Sequence, residues 1–310
     1  REMVKRSVAA ITDIYQNSIL KDSSRNSFMI KRMEDLADRT VWAMGKQLKC
    51  GDFVPFVFEH KFNMEVGDGD RKQLMSGTID RVDICENGTD VYVRIIDYKT
   101  GKKDFNIVKT YYGIDIQLMV YMEAAMKLVA KMRPGKNVIP AGVFYYNISD
   151  PIVSATTESA EEIEDKIKGE LRLKGMVNSD KDIAEKMDNT EGTSLNIPVS
   201  RKADGGFDSR RSKVMNTEQF NMLGRFVDVR AVDTADRIAG GDIRRSPYKD
   251  GQFSSCDRCP YGAVCGFSVD LPGCNYRKLK KFDDEVLWNN IKKGVDENGK
   301  KMDTGAEERD

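Results

Sequence analysis

The sequence predicts an α/β fold with a mixed central sheet flanked by helices. Three observations carry that expectation. Residues 4–48 show helical spacing, the apolar period drops to two at Phe53, and a long helix followed by one more buried-looking strand comes after three such runs.

The first helical stretch, "SVAAITDIYQNSILKD", is broken near Asp22-Ser23-Ser24 and resumes as "MIKRMEDLADRTVWAMGKQLK". The strand run "FVPFVFEHKFNM" then sets Val54, Phe56, Phe58 and His60 on one face. Two further runs, "MSGTIDRVDIC" and "DVYVRIIDYK", flank "ENGTD", whose Asn-Gly is a hairpin signal. A helix from about Ile114 to Lys131 and the strand "IPAGVFYYNI" follow. Residues 157–235 are charged, mostly helical and weakly amphipathic, and read as an insertion or flanking lobe with a Gly- and Arg-rich loop at "SRKADGGFDSRRSK". Residues 1–50 form a helical lead-in, and the polar tail 291–310 is expected to be disordered.

Composition narrows the function. The 310 residues carry 50 Lys+Arg and 50 Asp+Glu, so contact with a polyanion has to come from local patches rather than from a global field. No run of about 18 apolar residues is present, which excludes a membrane-spanning helix. No G-x-x-x-x-G-K-[ST] phosphate loop occurs, so nucleotide hydrolysis is not expected. Six cysteines without a disulfide framework fit a reducing cytoplasm. The chain opens on Arg1 with no signal-peptide pattern and reads as a piece of something longer.

The informative residues are charges inside strands. If the hairpin loop is Asn87–Asp90, facing residues sum to 177 and Asp80 stands opposite Asp97, with Lys99 on the same face. Two carboxylates about 5 Å apart repel by roughly 3 kcal/mol at an effective dielectric of 20. Opposed like charges destabilise a sheet unless a cation joins them. Hard oxygen donors suit Mg²⁺ or Mn²⁺, and a nearby ammonium can orient water or offset charge on a phosphoryl group. The bland alternative is a salt bridge from Asp80 to Arg81 or Lys99. Gln117 and Tyr121, one helical turn apart in "DIQLMVY", can line the same site.

The ordered set "GTIDRVD", "IIDYKTGKKDF", "YYGIDIQLMVYMEAA", "PAGVFYYNISDP" and "CDRCPYGAVCGF" resembles the RecB-type PD-(D/E)XK nucleases, and in particular the C-terminal nuclease domain of the AddB/RexB family. The resemblance runs from about Phe53 to Leu279 and implies a restriction-endonuclease-like domain over residues 51–290. It implies that Asp80 and Asp97 are metal ligands, with the Tyr98 carbonyl as a third, that Lys99 is the catalytic lysine, and that Gln117 and Tyr121 are an accessory motif. Further ligand candidates are Glu59 and the only histidine, His60; Glu59 matches a Glu usual in that family, and the sequence does not choose between them. Lys102 and Lys103 lie where DNA would pass, while Lys109 and the loop residues Arg201, Lys202, Arg210, Arg211 and Lys213 are weaker candidates.

Cys256, Cys259 and Cys265 form C-x2-C-x5-C, open on chemistry alone to zinc, an iron–sulfur cluster or buried thiols. The resemblance favours a [4Fe–4S] cluster whose fourth cysteine lies far upstream. Residues 1–49 contain no Cys, so the cluster is expected to be absent or incomplete here, with Cys274 a weak substitute in the segment 256–274. Cys50 and Cys85 read as structural. The implied function is a Mg²⁺-dependent DNA exonuclease domain acting on the 5′-ended strand in double-strand-break repair and recombination, with an AddA-type helicase–nuclease partner. A DNA-binding or subunit-docking module, inactive alone, and a stand-alone iron–sulfur nuclease are the alternatives.

Overall fold

A computed structural model describes residues 1–15, 23–66, 73–154 and 159–307. Its contacts divide the chain into two compact units. The first comprises Arg1–Phe62, Thr78–Phe105 and Tyr121–Phe220, and the second Asn63–Gly77, Asn106–Val120 and Asn221–Asp310.

The first unit opens on helices α1 (Glu2–Ile14) and α2 (Ser24–Leu48). Ser23 caps α2 by accepting a hydrogen bond from the Asn26 amide at 3.1 Å, the stop-and-start expected at that serine. The residues between these helices include 16–22, which lie outside the described residues. Strands β1 (Val54–Val66), β2 (Gln73–Asn87), β3 (Asp90–Lys99), β4 (Asn137–Asn147), β5 (Lys174–Asn178) and β6 (Val214–Met215) form a six-stranded sheet in that order. The β2–β3 and β4–β5 pairs are antiparallel, and the β3–β4 and β5–β6 pairs are parallel, so the expected mixed sheet is present. Helix α3 (Ile107–Tyr111) and helix α4 (Gln117–Met132) connect β3 to β4.

One sheet face is closed by a core that includes Ala43 of α2, Cys85, Tyr92, Ile96, Phe144, Tyr146, Leu173 and Val177. Buried residues Val82, Ile84, Val93, Ile95 and Val143 alternate with these, so both faces of the central strands exclude water. Gly175 is required by close strand approach: a Cβ there would stand 1.9 Å from the Val143 carbonyl oxygen.

Three expectations need correction. Residues 157–235 do carry helices α5 (Ala160–Glu170), α6 (Lys181–Met187) and the start of α7 (Thr217–Ala239), but they also supply β5 and β6. The short alternation "LRLKGMVN" buries Leu171, Leu173 and Val177, which ties this segment into the sheet rather than beside it. On β1, Val54 and Phe58 are exposed while Phe53 and Phe62 are buried, and the left-handed φ of 48° at Glu59 breaks the period-two pattern between the two buried phenylalanines. The tail is helical as far as Glu307 in α9 (Asp284–Glu307). Leu287 and Ile291, one turn apart, are buried, and Gly294 lies against the Phe226 ring, which anchors α9 past the point where composition alone suggests disorder.

The second unit is built around Tyr111, stacked on Phe226 at 5.5 Å and met edge-on by Phe282. Its small sheet has β7 (Tyr248–Asp250) between β8 (Phe253–Ser254) and β9 (Arg277–Lys278), and the short helix α8 (Gly262–Cys265) lies in the loop joining the two outer strands.

Candidate active site

The β2–β3 hairpin positions the charged residues. Its turn is tighter than expected: Asn87 pairs with Asp90, leaving Gly88 and Thr89 at the tip, with Gly88 at a φ of 60°. The register is nevertheless the expected one, running from Asn87↔Asp90 to Arg81↔Ile96. One more step sets Asp80 opposite Asp97. There the Asp80 carboxylate accepts a hydrogen bond from the Tyr98 amide at 2.7 Å.

Asp97 is buried and its carboxylate forms an ion pair with the Lys99 ammonium, itself about a third exposed. Burial pushes the Asp97 carboxyl above the usual range, Lys99 opposes that shift, and the neighbouring Asp80 charge adds to it. The Lys99 and Lys103 charges do not offset the burial of Asp97 and the repulsion from Asp80.

The salt bridge from Asp80 to Arg81 is excluded by alternation. Arg81 points to the other face, where it holds Asp83 through two hydrogen bonds of 2.6 and 2.7 Å. Arg94 donates to the same carboxylate at 2.9 Å and stacks over Phe53. The Tyr98 side chain also lies on that face, with its hydroxyl 3.3 Å from Arg81 and 2.9 Å from the Met44 sulfur.

The sheet extends the Asp80–Asp97 face sideways. Asp97 pairs with Tyr145, and Tyr145 with Lys174, so Asp80, Asp97, Tyr145 and Lys174 form one row across four strands. The buried Tyr145 ring has Lys99 at 5.5 Å and Lys103 at 5.4 Å. Asn147, paired with Lys99 in the next row, fixes the loop beyond β3 by bonding the Lys103 amide and carbonyl, each at 3.0 Å.

Other expected residues stand as follows. Tyr121, on α4, packs edge-on against Phe62 at 5.7 Å. Gln117 opens the same helix and belongs to the second unit. Glu59 is exposed and His60 half-buried. Among the described residues no three His, Cys, Asp or Glu side chains come together to hold a metal ion, so neither joins the two carboxylates in a ready-made ligand set.

The same holds for Cys256, Cys259 and Cys265, all free thiols in the loop between β8 and β9. As they stand these residues do not fit a cluster. Cys85 is buried, as expected of a structural thiol. In the glycine-rich loop Arg201 is spent on structure, donating to the carbonyls of Thr190, Ala184 and Asp188 at 2.6–2.8 Å, and Arg211 pairs with Asp208.

Residues 2–266 match the PD-(D/E)XK nuclease superfamily. The chain belongs to that superfamily. It is 36% identical over 98% of its length to an ATP-dependent helicase/deoxyribonuclease subunit of Lachnoclostridium phytofermentans, covering 27% of that protein. The like-named subunits of Thermoanaerobacter sp. and Clostridium acetobutylicum are 34% and 35% identical over 92% and 91% of the chain, each covered to 25%. The chain therefore spans about a quarter of the length of the curated relatives it matches. Asp80 and the D-Y-K of β3 lie within the matched residues.

The sequence reading missed Tyr145, Arg172 and Lys174. The last two had a signal: "LRLK" alternates apolar and basic residues as a half-buried strand does.

Proposed function

We propose that this chain is a metal-dependent deoxyribonuclease domain, hydrolysing phosphodiester bonds at the Asp80–Asp97–Lys99 face. The observation that carries the reading is the hairpin register, which opposes two carboxylates and adds a lysine on the same face in a chain of a nuclease superfamily. The donor set fits a hard divalent cation: Asp80 and Asp97 would hold Mg²⁺ or Mn²⁺, which when bound supplies Lewis acidity toward a phosphoryl oxygen. The Tyr98 amide holds the Asp80 carboxylate in place. The Lys99 ammonium, drawn toward Asp97, offsets charge developing on the phosphate and orients the attacking water. Tyr121 is assigned to substrate positioning.

The relatives' names support a wider role as part of a helicase/deoxyribonuclease subunit. Action on the 5′-ended strand, with an AddA-type partner in the cytoplasm, extends that reading from the family resemblance alone. Among the described residues no helix is long and apolar enough to cross a membrane.

The test is a Mg²⁺ titration of single-stranded DNA labelled at either end, with Lys99→Ala as control. Metal-dependent degradation by the wild-type chain and its loss in the variant are expected. Equal degradation by both, or none by either alone or with the partner subunit, would refute the reading.

A further inference from the structure

A cleft of about 640 Å³ opens at the end of β3, lined by Lys102, Lys103, Asn147, Arg172, Lys174 and Lys213, among others. Five cations line it against two anions, Asp104 and Glu170, in a chain whose overall charge is zero. That local excess has a direction. Lys174 lies in the row containing Asp80 and Asp97, two strand spacings from Asp97, or about 10 Å. This is roughly three nucleotide steps along a stacked strand.

We propose that this cleft is a backbone-phosphate subsite. Arg172 and Lys174, with Lys103, hold a phosphate of the nucleic-acid strand whose nearby linkage faces Asp80, Asp97 and Lys99, an inference that rests on the nuclease reading. Three further observations support it. The Arg172 Nε is buried and has no hydrogen-bond partner among the described residues, while one Nη donates to the Ser194 carbonyl at 3.4 Å. A buried guanidinium donor left open is costly unless an acceptor enters.

Lys174 is held below the usual lysine range by burial and then by the Arg172 charge, with Glu170 and Asp104 opposing. Cations packed this way repel one another until an anion joins them. Finally, Lys103 is held in register with the catalytic row, by Asn147 on its backbone and by the Tyr145 ring beside its ammonium. Lys213 already pairs with Asp104 and closes the far side of the cleft. The ligand class is a phosphodiester backbone, read by charge and without base contacts.

Binding of a fluorescent oligothymidylate by the 310-residue chain in EDTA, across 50–200 mM salt, tests the subsite apart from catalysis. Removing one cation that neutralises a phosphate of a single strand lowers the slope of log K against log[salt] by about 0.7. The Arg172→Ala/Lys174→Ala variant should lower it by about 1.4, making the fall in affinity over that range about sevenfold shallower. Lys174→Arg should keep the wild-type slope. Should the double variant fail to fold, Lys174→Gln alone should lower the slope by about 0.7.

An unchanged slope in the charge-removing variants, or no binding by the wild-type chain, would overturn the subsite. Cleavage that survives Lys99→Ala would instead overturn the nuclease reading, and the two failures are distinguishable because the binding assay contains no metal.

Discussion

The two faces of the β2–β3 hairpin bury charges only one residue apart, yet to different ends. On one face Asp83 is fully buried between Arg81 and Arg94, and its two oxygens are satisfied by both guanidinium groups. Burial works against the Arg81 charge, but the hydrogen bonds and attraction from Asp83 outweigh it and raise that guanidinium above its usual value. On the other face Asp97 has the Lys99 ammonium beside it and Lys103 nearby, yet burial and the Asp80 charge lift its carboxyl rather than lowering it. A buried cluster whose hydrogen bonds are complete holds a register. One that is short of positive charge is prepared for something to arrive.

The largest effect that tests this contrast is on the closed face. Asp83→Ala leaves two guanidinium groups buried without their shared acceptor, and should cost about 3–5 kcal/mol in a denaturant titration. A loss under about 1 kcal/mol would break the comparison, since the cluster would then not be structural.

Next in size are the open-face variants. Asp80→Ala and Lys99→Ala should each lower DNA cleavage by at least about 10²–10³-fold. The unfolding free energy of Asp80→Ala should stay within about 1 kcal/mol of wild type, whereas Lys99→Ala, which strips buried Asp97 of its ammonium, should also lose stability. Global unfolding of Asp80→Ala would make that carboxylate structural.

A smaller effect sharpens the point. Asp80→Asn keeps an acceptor for the Tyr98 amide while removing the repulsion of Asp97. The metal-free melting temperature should rise by about 1–3 °C, and a fall would show that the open face is not under repulsion.

The smallest effect belongs to the rim of the same hairpin, where Glu86 and Arg133 pair at 2.8 Å with both side chains a third or more exposed. Glu86→Ala should change stability by less than about 1 kcal/mol. A larger loss would mean that position along the hairpin, rather than burial and charge balance, sets the ranking.

Much of the fold follows from local pattern. Period-two runs placed the first four strands, the break at Ser23 separated two helices, and the Asn-Gly turn with alternation determined which residues oppose one another across the hairpin. Register is readable because a slip of one residue would turn every buried side chain outward. Asp80, Asp97 and Lys99 could therefore be set on one face from sequence spacing alone.

Tertiary structure decided what lies outside any single hairpin. That Asp83 is shared by a second guanidinium depends on Arg94 arriving from the partner strand. That residues 174–178 join the sheet depends on the approach allowed by Gly175, and this pairing brings Lys174 into line with the carboxylates. The burial of Leu287 and Ile291 extends order into a tail whose composition is polar. Short-range periodicity reports which way a side chain points within its own element. The neighbour that it meets there is set by long-range pairing and packing, which leave little trace in local composition.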